Sequence, residues 1–196
     1  MQPLIIDLSQ KKIVIVGGGK IAARKAKVMR EEGAIITFIA PEFSEEVHEL
    51  SKQMDYTLIK RAPRPEDFSE VILVILATNN RTVNHNLVKS LPVNQLVCVV
   101  DESGEGNVTF PATVRRGHLQ IAVTSNGASP KLTRKLKKEL EMQFDESWVE
   151  YTAWLSVMRE KVKRMDISFQ EKQNILLEVL EEKYKNDQLL RSRFSE

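Results

Sequence analysis

Three consecutive glycines, Gly17 to Gly19, lie between an apolar run and a segment rich in alanine and lysine. The run predicts a strand over Lys12–Val16, and the segment predicts a helix over Ile21–Glu32. In this context Gly17 permits a tight turn, Gly19 leaves room for a pyrophosphate, and Ala22 lets the helix pack closely on the strand. The helix N-terminus adds unpaired N–H groups for the phosphates. The turn therefore predicts dinucleotide binding; the alternative is a structural turn that binds nothing.

Apolar runs alternate with helical patterns through the first half of the chain. Because the runs lack polar alternation, they are typical of strands covered on both faces, and their alternation with helices predicts a parallel sheet. The fold class is therefore α/β, with a Rossmann-like domain over residues 1–112. The remaining predicted strands are Ala34–Ala40, Tyr56–Lys60, Val71–Ala77 and Leu96–Val100, with helices over 44–53 and Thr82–Ser90.

The pattern changes after about residue 107. Strands are predicted over Asn107–Phe110 and Gln120–Thr124, followed by a helix with Ser129 as N-cap and Pro130 at its first position. Only helices follow Asp145. They are predicted over Ser147–Met165 and Ser168–Tyr184, the second opened by a capping box of Ser168 and Glu171. We expect a short dimerisation segment over 113–145 and a small all-helical domain over 146–196.

The amino-acid composition indicates the cellular compartment in which the protein works. The single cysteine, Cys98, excludes an intrachain disulfide, and within LVCVV it is predicted to be a small buried residue. No run of about 18 apolar residues is present to span a membrane. The first twelve residues lack the basic-then-apolar order of a signal peptide. We therefore expect a soluble cytoplasmic protein without a membrane partner.

The end of the second predicted strand indicates which dinucleotide binds. Pro41 stands where an acidic residue commonly binds the adenosine ribose, and Glu42 comes one position later. No arginine occurs between Ala40 and Ser44 to bind the 2′-phosphate of NADP. The sequence therefore favours NAD over NADP.

Two further predicted strands carry polar residues at their carboxyl ends, where open α/β sheets bind ligands. Thr78, Asn79 and Asn80 follow the fourth strand. Asp101 follows the apolar run Cys98–Val100, so partial burial at the cleft edge would favour its protonated form. Asp101 is therefore a candidate acid or base; an aspartate that only forms a turn is an equal alternative.

A basic segment lies between Thr113 and Lys138, with seven lysines and arginines and no acidic residue. Beside a cofactor cleft, such a segment favours a polyanionic substrate, because focused charge raises its local concentration. The alternative is a solvated helix face plus a turn. A nucleic-acid partner is not favoured, because no aromatic residues lie between the basic ones for base stacking. The seven are Arg115, Arg116, Lys131, Arg134, Lys135, Lys137 and Lys138.

Four segments, in this order, resemble the siroheme synthase N-terminal module: VGGGKIAARKA, ATNNRTVN, VVDESGEGNVTFPATVRRG and VTSNGASPKLTRKLKKELE. The likeness spans essentially the whole chain, and its end near residue 196 resembles the stand-alone form of the family. The resemblance implies oxidation of precorrin-2, a polycarboxylated tetrapyrrole, to sirohydrochlorin with NAD+. It also implies a homodimer in which the middle segment exchanges between subunits.

The resemblance assigns roles by position. Asp101 matches the aspartate regarded as the family's general base. The positions that contact NAD are Lys20, Ile21, Pro41 and Glu42, beside Gly17, Gly19, Thr78 and Asn79 from the strand ends. Ser125 matches a serine that lines the tetrapyrrole site, with Asn126 and Gly127 as neighbours. Arg115, Arg116, Lys131 and Arg134 are expected to hold the substrate carboxylates.

Two alternatives stay open. The first is a bifunctional enzyme that also inserts iron or cobalt into sirohydrochlorin; a chelatase needs no metal ligands of its own, because the pyrrole nitrogens supply them. We predict no protein metal site, and we predict that His48, His85 and His118 are surface residues. The second alternative is a module that senses NAD(H) without catalysing a reaction.

Overall fold

A parallel sheet forms the centre of the first half in the computed structural model, which describes residues 1–100 and 105–195. Its strands are β1 (Lys12–Val16), β2 (Ile35–Ala40), β3 (Thr57–Lys60), β4 (Leu73–Leu76) and β5 (Leu96–Val99). Their order across the sheet is β3-β2-β1-β4-β5. The predicted Rossmann-like sheet is confirmed. The carboxyl ends of β1 and β4 are neighbours at the point where the strand order reverses, which is where such sheets bind ligands.

Helices cover both faces of this sheet because the strands are apolar on both sides. They are α1 (Lys20–Val28), α2 (Glu45–Met54) and α3 (Arg81–Ser90), and a 3₁₀ turn, Arg30–Glu32, follows α1. On one face Ile15 and Phe38 pack with Ala22 and Val47 of α1 and α2. On the other face alternate strand residues such as Val74 pack with α3. Ala22 is fully buried, as its place in the glycine pattern predicts.

The chain divides into two compact units, Met1–Phe110 and Pro111–Glu196. The second begins with an antiparallel hairpin and continues with helices. The further division of this unit at residue 145 stays a prediction. Its elements are β6 (Ala112–Arg116), β7 (Leu119–Val123), α4 (Pro130–Gln143), α5 (Ser147–Arg164), α6 (Phe169–Glu178), α7 (Glu182–Asn186) and α8 (Gln188–Ser195).

Thr152 of α5 fixes the turn of the hairpin. Its hydroxyl donates to the carbonyl of Arg116 and accepts from the N–H of His118, both at 3.1 Å. A Cβ at Gly117, whose φ is +58°, would lie 2.7 Å from the same hydroxyl oxygen. A glycine is therefore required between these two hydrogen bonds.

The predicted strand over Asn107–Phe110 is wrong, because side-chain hydrogen bonds replace a strand ladder there. The Asn107 side chain accepts from the N–H of Val97 and donates to the carbonyl of Gln95, both at 2.7 Å. The first strand of the second unit starts only after Pro111. The backbone alongside β5 is thus held by the Asn107 amide and by the N–H groups of Asn107 and Val108, which donate to the Val97 carbonyl.

The single helix predicted over Ser168–Tyr184 is also wrong, because the structure divides it into α6 and α7. The capping box of Ser168 and Glu171 is present as predicted. The break follows Val179, whose carbonyl accepts a 2.9 Å hydrogen bond from the buried Tyr151 hydroxyl of α5. The next two N–H groups bond three residues back, which tightens the chain and ends α6.

No helix in the described part of the chain is long and apolar enough to cross a membrane.

Candidate functional site: a dinucleotide pocket and a basic segment

The glycine turn connects β1 to α1, and its three glycines face different surroundings. A Cβ at Gly17, whose φ is +135°, would lie 2.5 Å from the carbonyl oxygen of Ala77. A Cβ at Gly18 would overlap the carbonyl of Glu42. At Gly19, in contrast, no atom lies within 4 Å of the same position. Protein packing therefore requires the first two glycines, whereas Gly19 borders open space that a ligand can enter.

The N-terminus of α1 lies directly behind this open space. Gly19 is the N-cap and has no side chain to accept from the first-turn N–H groups, and the first turn carries no acidic residue. These N–H groups and the positive end of the helix dipole form an anion-binding site. The arrangement suits the pyrophosphate of a dinucleotide.

A cavity of about 700 Å³ opens at the carboxyl edge of the sheet above this turn. Its volume lies within the ordinary range for small-molecule and cofactor sites. The structure brings together here all eight residues predicted to contact the cofactor, which supports that assignment without testing each contact. They are Gly17, Gly19, Lys20, Ile21, Pro41, Glu42, Thr78 and Asn79.

Sequence analysis missed part of the cavity wall. Ala62 and Pro63 line the cavity beyond β3, and Val83 lines it in the first turn of α3. Asn80, which the strand-end rule includes with Thr78 and Asn79, lines the cavity as well. Ala62 and Pro63 follow the carboxyl end of a strand, the rule that identified Thr78 and Asn79, so the same rule applied to β3 would have found them. An NAD molecule fits the observed features, because the wall is mostly apolar while Gly19 and α1 face the position of the phosphates.

Asp101, the predicted acid or base, lies outside the described residues. Cys98, three residues earlier, is 3% exposed as predicted, and burial raises the pKa of its thiol, so it is suited to packing and not to nucleophilic attack. Glu105 Oε1 lies 3.7 Å from Nδ1 of His85. The prediction that His85, His48 and His118 lie at the surface is confirmed.

The four basic residues predicted to bind substrate all lie in the second unit. Arg115 and Arg116 belong to β6, and Lys131 and Arg134 belong to the first two turns of α4, which packs against β6. Arg115, Lys131 and Arg134 are exposed. Arg116 is half-buried, and its Nε lies 3.4 Å from Glu146 Oε1. Arg116 is therefore already paired within the unit.

Ser125, Asn126 and Gly127 form the connection between β7 and α4. The Ser125 oxygen accepts from the N–H of Ser129 at 3.0 Å and lies 3.2 Å from the hydroxyl of Thr133. Ser129 is the N-cap of α4, as predicted, and accepts from the N–H of Leu132. Asn126 and Gly127 both have positive φ, +49° and +85°. Ser125 is thus held by the first turn of the helix that carries Lys131 and Arg134.

Within residues 1–100 and 105–195, no three His, Cys, Asp or Glu side chains come together as a possible metal site.

Comparison with known proteins extends over both units. Residues 4–112 match a family described as NAD(P)-binding, residues 116–143 match the central region of a sirohaem biosynthesis protein, and residues 148–194 match the SirC C-terminal domain. The chain belongs to the siroheme synthase N-terminal module family. This confirms the predicted resemblance, and it identifies NAD as the cofactor of the first unit.

Several members of the family are similar over most of their length. The precorrin-2 dehydrogenase of Priestia megaterium is 33% identical over 185 residues, which cover 94% of this chain and 92% of that one. The precorrin-2 dehydrogenase of Bacillus subtilis (strain 168) is 37% identical over 161 residues, covering 82% and 99%. The solved structure of SirC, a precorrin-2 dehydrogenase, matches with a TM-score of 0.87 at 33% identity, covering 100% of this chain and 97% of that chain.

Proposed function

We propose that this chain oxidises precorrin-2 to sirohydrochlorin with NAD+. The observation that carries the proposal is the similarity to two precorrin-2 dehydrogenases over most of both chains, joined to a dinucleotide-sized cavity on the glycine turn. Both relatives are named for dehydrogenation, which supports the dehydrogenase over the bifunctional alternative. Metal insertion by the same protein is tested with cobalt and sirohydrochlorin.

The residues of the cavity would hold NAD in three parts. Gly19 and the N–H groups of Lys20 and Ile21 would bind the pyrophosphate, because the turn is open there and α1 begins there. Pro41 and Glu42, which line the same cavity, would contact the adenosine of NAD. Thr78 and Asn79, which also line it, would lie beside the nicotinamide half. NAD+ supplies the acceptor for the hydride that the substrate loses.

Asp101 is our proposed general base. Oxidation removes a hydride and a proton from the substrate, so a proton acceptor is needed beside the hydride acceptor. Asp101 comes two residues after the end of β5, which is the neighbour of β4 in the sheet, and the residues that follow β4 line the cavity. Because parallel strands end at the same edge of the sheet, this position in the sequence is suited to the role.

The basic segment is our proposed site for the substrate carboxylates. Arg115, Lys131 and Arg134 are exposed and able to meet carboxylates at the surface of the second unit. Ser125 would add a hydroxyl contact, with Asn126 and Gly127 forming the turn beside it. Arg116, which pairs with Glu146, would support this surface by fixing the end of β6.

We further propose a homodimer formed through residues 113–145. On α4, Leu132 and Leu136 are 48% and 36% exposed, and no α4 residue is buried in the single chain. Burial of such leucines against a second copy would remove apolar surface from water. We also propose, as the sequence led us to expect, that the protein works in the cytoplasm. Sedimentation of the purified protein tests the dimer.

The test of function mixes purified protein, precorrin-2 and NAD+ and follows the absorbance of reduced nicotinamide and of sirohydrochlorin. We expect both absorbances to increase together. Asp101→Ala should bind NAD+ like the natural protein and lose turnover, whereas Asp166→Ala, an exposed aspartate in the second unit, should keep it.

Binding of NAD+ without formation of either product would favour a sensing module and overturn the proposed function. Normal turnover by Asp101→Ala would show that Asp101 is not the general base and only forms a turn. Adding cobalt to finished sirohydrochlorin, and comparing metal insertion with the uncatalysed rate, tests the bifunctional alternative in the same instrument.

A further inference from the structure

Asn84 is a buried polar residue with a specific partner. It lies in the second turn of α3 and is 5% exposed. Its side-chain oxygen accepts a 2.6 Å hydrogen bond from the Thr78 hydroxyl, and its side-chain nitrogen donates to the Thr78 carbonyl at 3.2 Å. Both ends of the Asn84 amide are therefore used on one residue, and that residue lines the cofactor cavity.

The chemistry of the groups fixes the orientation of this amide. If the amide were reversed, its oxygen would face the Thr78 carbonyl oxygen, and two acceptors would meet. The one hydroxyl proton of Thr78 has two acceptors in range, the Asn84 side-chain oxygen at 2.6 Å and the Asn80 carbonyl at 3.1 Å, and the shorter contact is the one to Asn84. The Thr78 oxygen also accepts from the N–H of Asn80 at 3.2 Å. The Thr78 hydroxyl is thus engaged as donor and as acceptor inside the protein.

The same residue is connected to the glycine turn. Thr78 follows Ala77, whose N–H donates to the carbonyl of Val16 at 2.8 Å and whose carbonyl oxygen lies against Gly17. Asn79 and Asn80 follow on the other side and line the cavity. A shift of Thr78 would therefore move both the backbone that packs against the glycine turn and residues Asn79 and Asn80 on the cavity wall.

We infer that Asn84 is a positioning residue for the NAD pocket, which acts by holding Thr78, and that the Thr78 hydroxyl serves this internal clamp instead of contacting the cofactor. The inference depends on the proposed function only for the identity of the ligand. Without the clamp, residues Ala77–Asn80 would occupy the binding-competent arrangement for a smaller fraction of the time. Apparent affinity falls in proportion to that fraction, because ligand binding must then select it.

The experiment measures NAD+ affinity by titration calorimetry, together with the melting temperature. Asn84→Ala should weaken NAD+ binding about tenfold, which is the effect of losing roughly one buried hydrogen-bonded pair. Thr78→Val, which keeps the side-chain shape, should weaken it by a similar factor. The double variant should bind NAD+ at most about twofold more weakly than either single variant, because both substitutions remove the same clamp.

Two control variants separate positioning from general destabilisation. Gln95→Ala removes another side-chain amide that donates to backbone carbonyls, those of Val71 and Ile72, at the opposite edge of the same sheet. It should lower the melting temperature and leave NAD+ affinity within twofold of the natural protein. Asn86→Ala, an exposed residue of α3, should change neither quantity.

Turnover gives a second readout where precorrin-2 oxidation is observed. Asn84→Ala should raise KM for NAD+ about tenfold and leave kcat within about twofold, because bound cofactor restores the clamped arrangement. If Asn84→Ala does not fold, the Thr78→Val titration alone tests the clamp.

Three results would overturn the inference. The first is an NAD+ affinity within twofold of the natural protein for Asn84→Ala or Thr78→Val, and the second is an equal loss of NAD+ affinity in Gln95→Ala. The third is a loss of NAD+ affinity of about a hundredfold in the double variant, the product of the two single losses. The last would mean that the Thr78 hydroxyl contacts NAD+ itself. A protein that binds NAD+ with these responses but does not oxidise precorrin-2 would refute the proposed function and leave the clamp intact.

Discussion

Gly18 and Gly19 are adjacent, yet the structure predicts opposite outcomes when each is replaced by alanine. At Gly18 a Cβ would overlap the Glu42 carbonyl oxygen and lie 2.9 Å from its carbon and 3.0 Å from Cδ1 of Phe43. The backbone that follows β2 must then move away, and the 2.7 Å hydrogen bond from the N–H of Ser44 to the Gly18 carbonyl is stretched. Overpacking of this kind costs about 1–3 kcal/mol, and the hydrogen bond adds about 1 kcal/mol.

We therefore expect Gly18→Ala to lower the free energy of unfolding by about 2–4 kcal/mol. Gly19 has a φ of −96° and a ψ of −174°, which alanine adopts without strain, and its Cβ would meet no protein atom within 4 Å. Gly19→Ala should cost no more than about 1 kcal/mol, since alanine is only a poorer N-cap than glycine. Its NAD+ affinity should nevertheless fall at least about tenfold, because the new methyl group occupies the approach of the pyrophosphate.

Urea unfolding followed by circular dichroism gives the stability, and titration calorimetry gives the NAD+ affinity. Gly18→Ala as stable as the natural protein would show that the segment after β2 is not held against the turn. Gly19→Ala with unchanged NAD+ affinity would show that the phosphates lie elsewhere, and the proposed cofactor site would be wrong.

Three further predictions concern stability. Tyr151→Phe leaves the Val179 carbonyl without its buried partner and should cost about 1–2 kcal/mol in urea unfolding, whereas an unchanged value would contradict the role given to this bond in ending α6. The Arg61 guanidinium donates two hydrogen bonds to Asp67 and holds the pKa of that carboxyl below its ordinary value. The resulting stabilisation is complete at pH values above the ordinary pKa and is lost as the pH falls through the lowered pKa. Asp67→Asn should therefore lower the free energy of unfolding at neutral pH and lower it less in acid. A loss of stability that grows in acid would refute this prediction. Ser129→Ala removes the N-cap of α4 and should cost about 1 kcal/mol, with equal stability as the contrary result.

Local patterns sufficed for the sheet and for the cofactor cavity. The apolar strands and the turn at Gly17 depend on residues close together in sequence, and the strand-end rule placed Thr78 and Asn79 correctly on the cavity wall. Helix starts were equally local, since the caps at Ser129 and Ser168 need only their own first turn.

The failures arise where a distant side chain determines the backbone. The break after α6 depends on Tyr151, which lies 28 residues before Val179. The absence of a strand at Asn107 depends on an amide that binds both Val97 and Gln95 of the β5 region. Asn84 gave no sequence signal either, because its role depends on its distance from Thr78. Periodicity along the chain carries no information about such pairs.

The hydrogen bonds of Asn107 also affect how the sheet meets other proteins. β5 is the last strand in the sheet order, so its outer side would ordinarily offer free backbone donors and acceptors to a foreign strand. The Asn107 amide takes the Val97 N–H and the Gln95 carbonyl, while the N–H groups of Asn107 and Val108 both donate to the Val97 carbonyl at 2.9 Å. Gly106 permits this approach, because a Cβ there would lie 2.5 Å from the same oxygen. The Asn107 amide and the N–H groups of Asn107 and Val108 together occupy the outward-facing groups of Gln95 and Val97, which are thereby unavailable for pairing with a foreign strand.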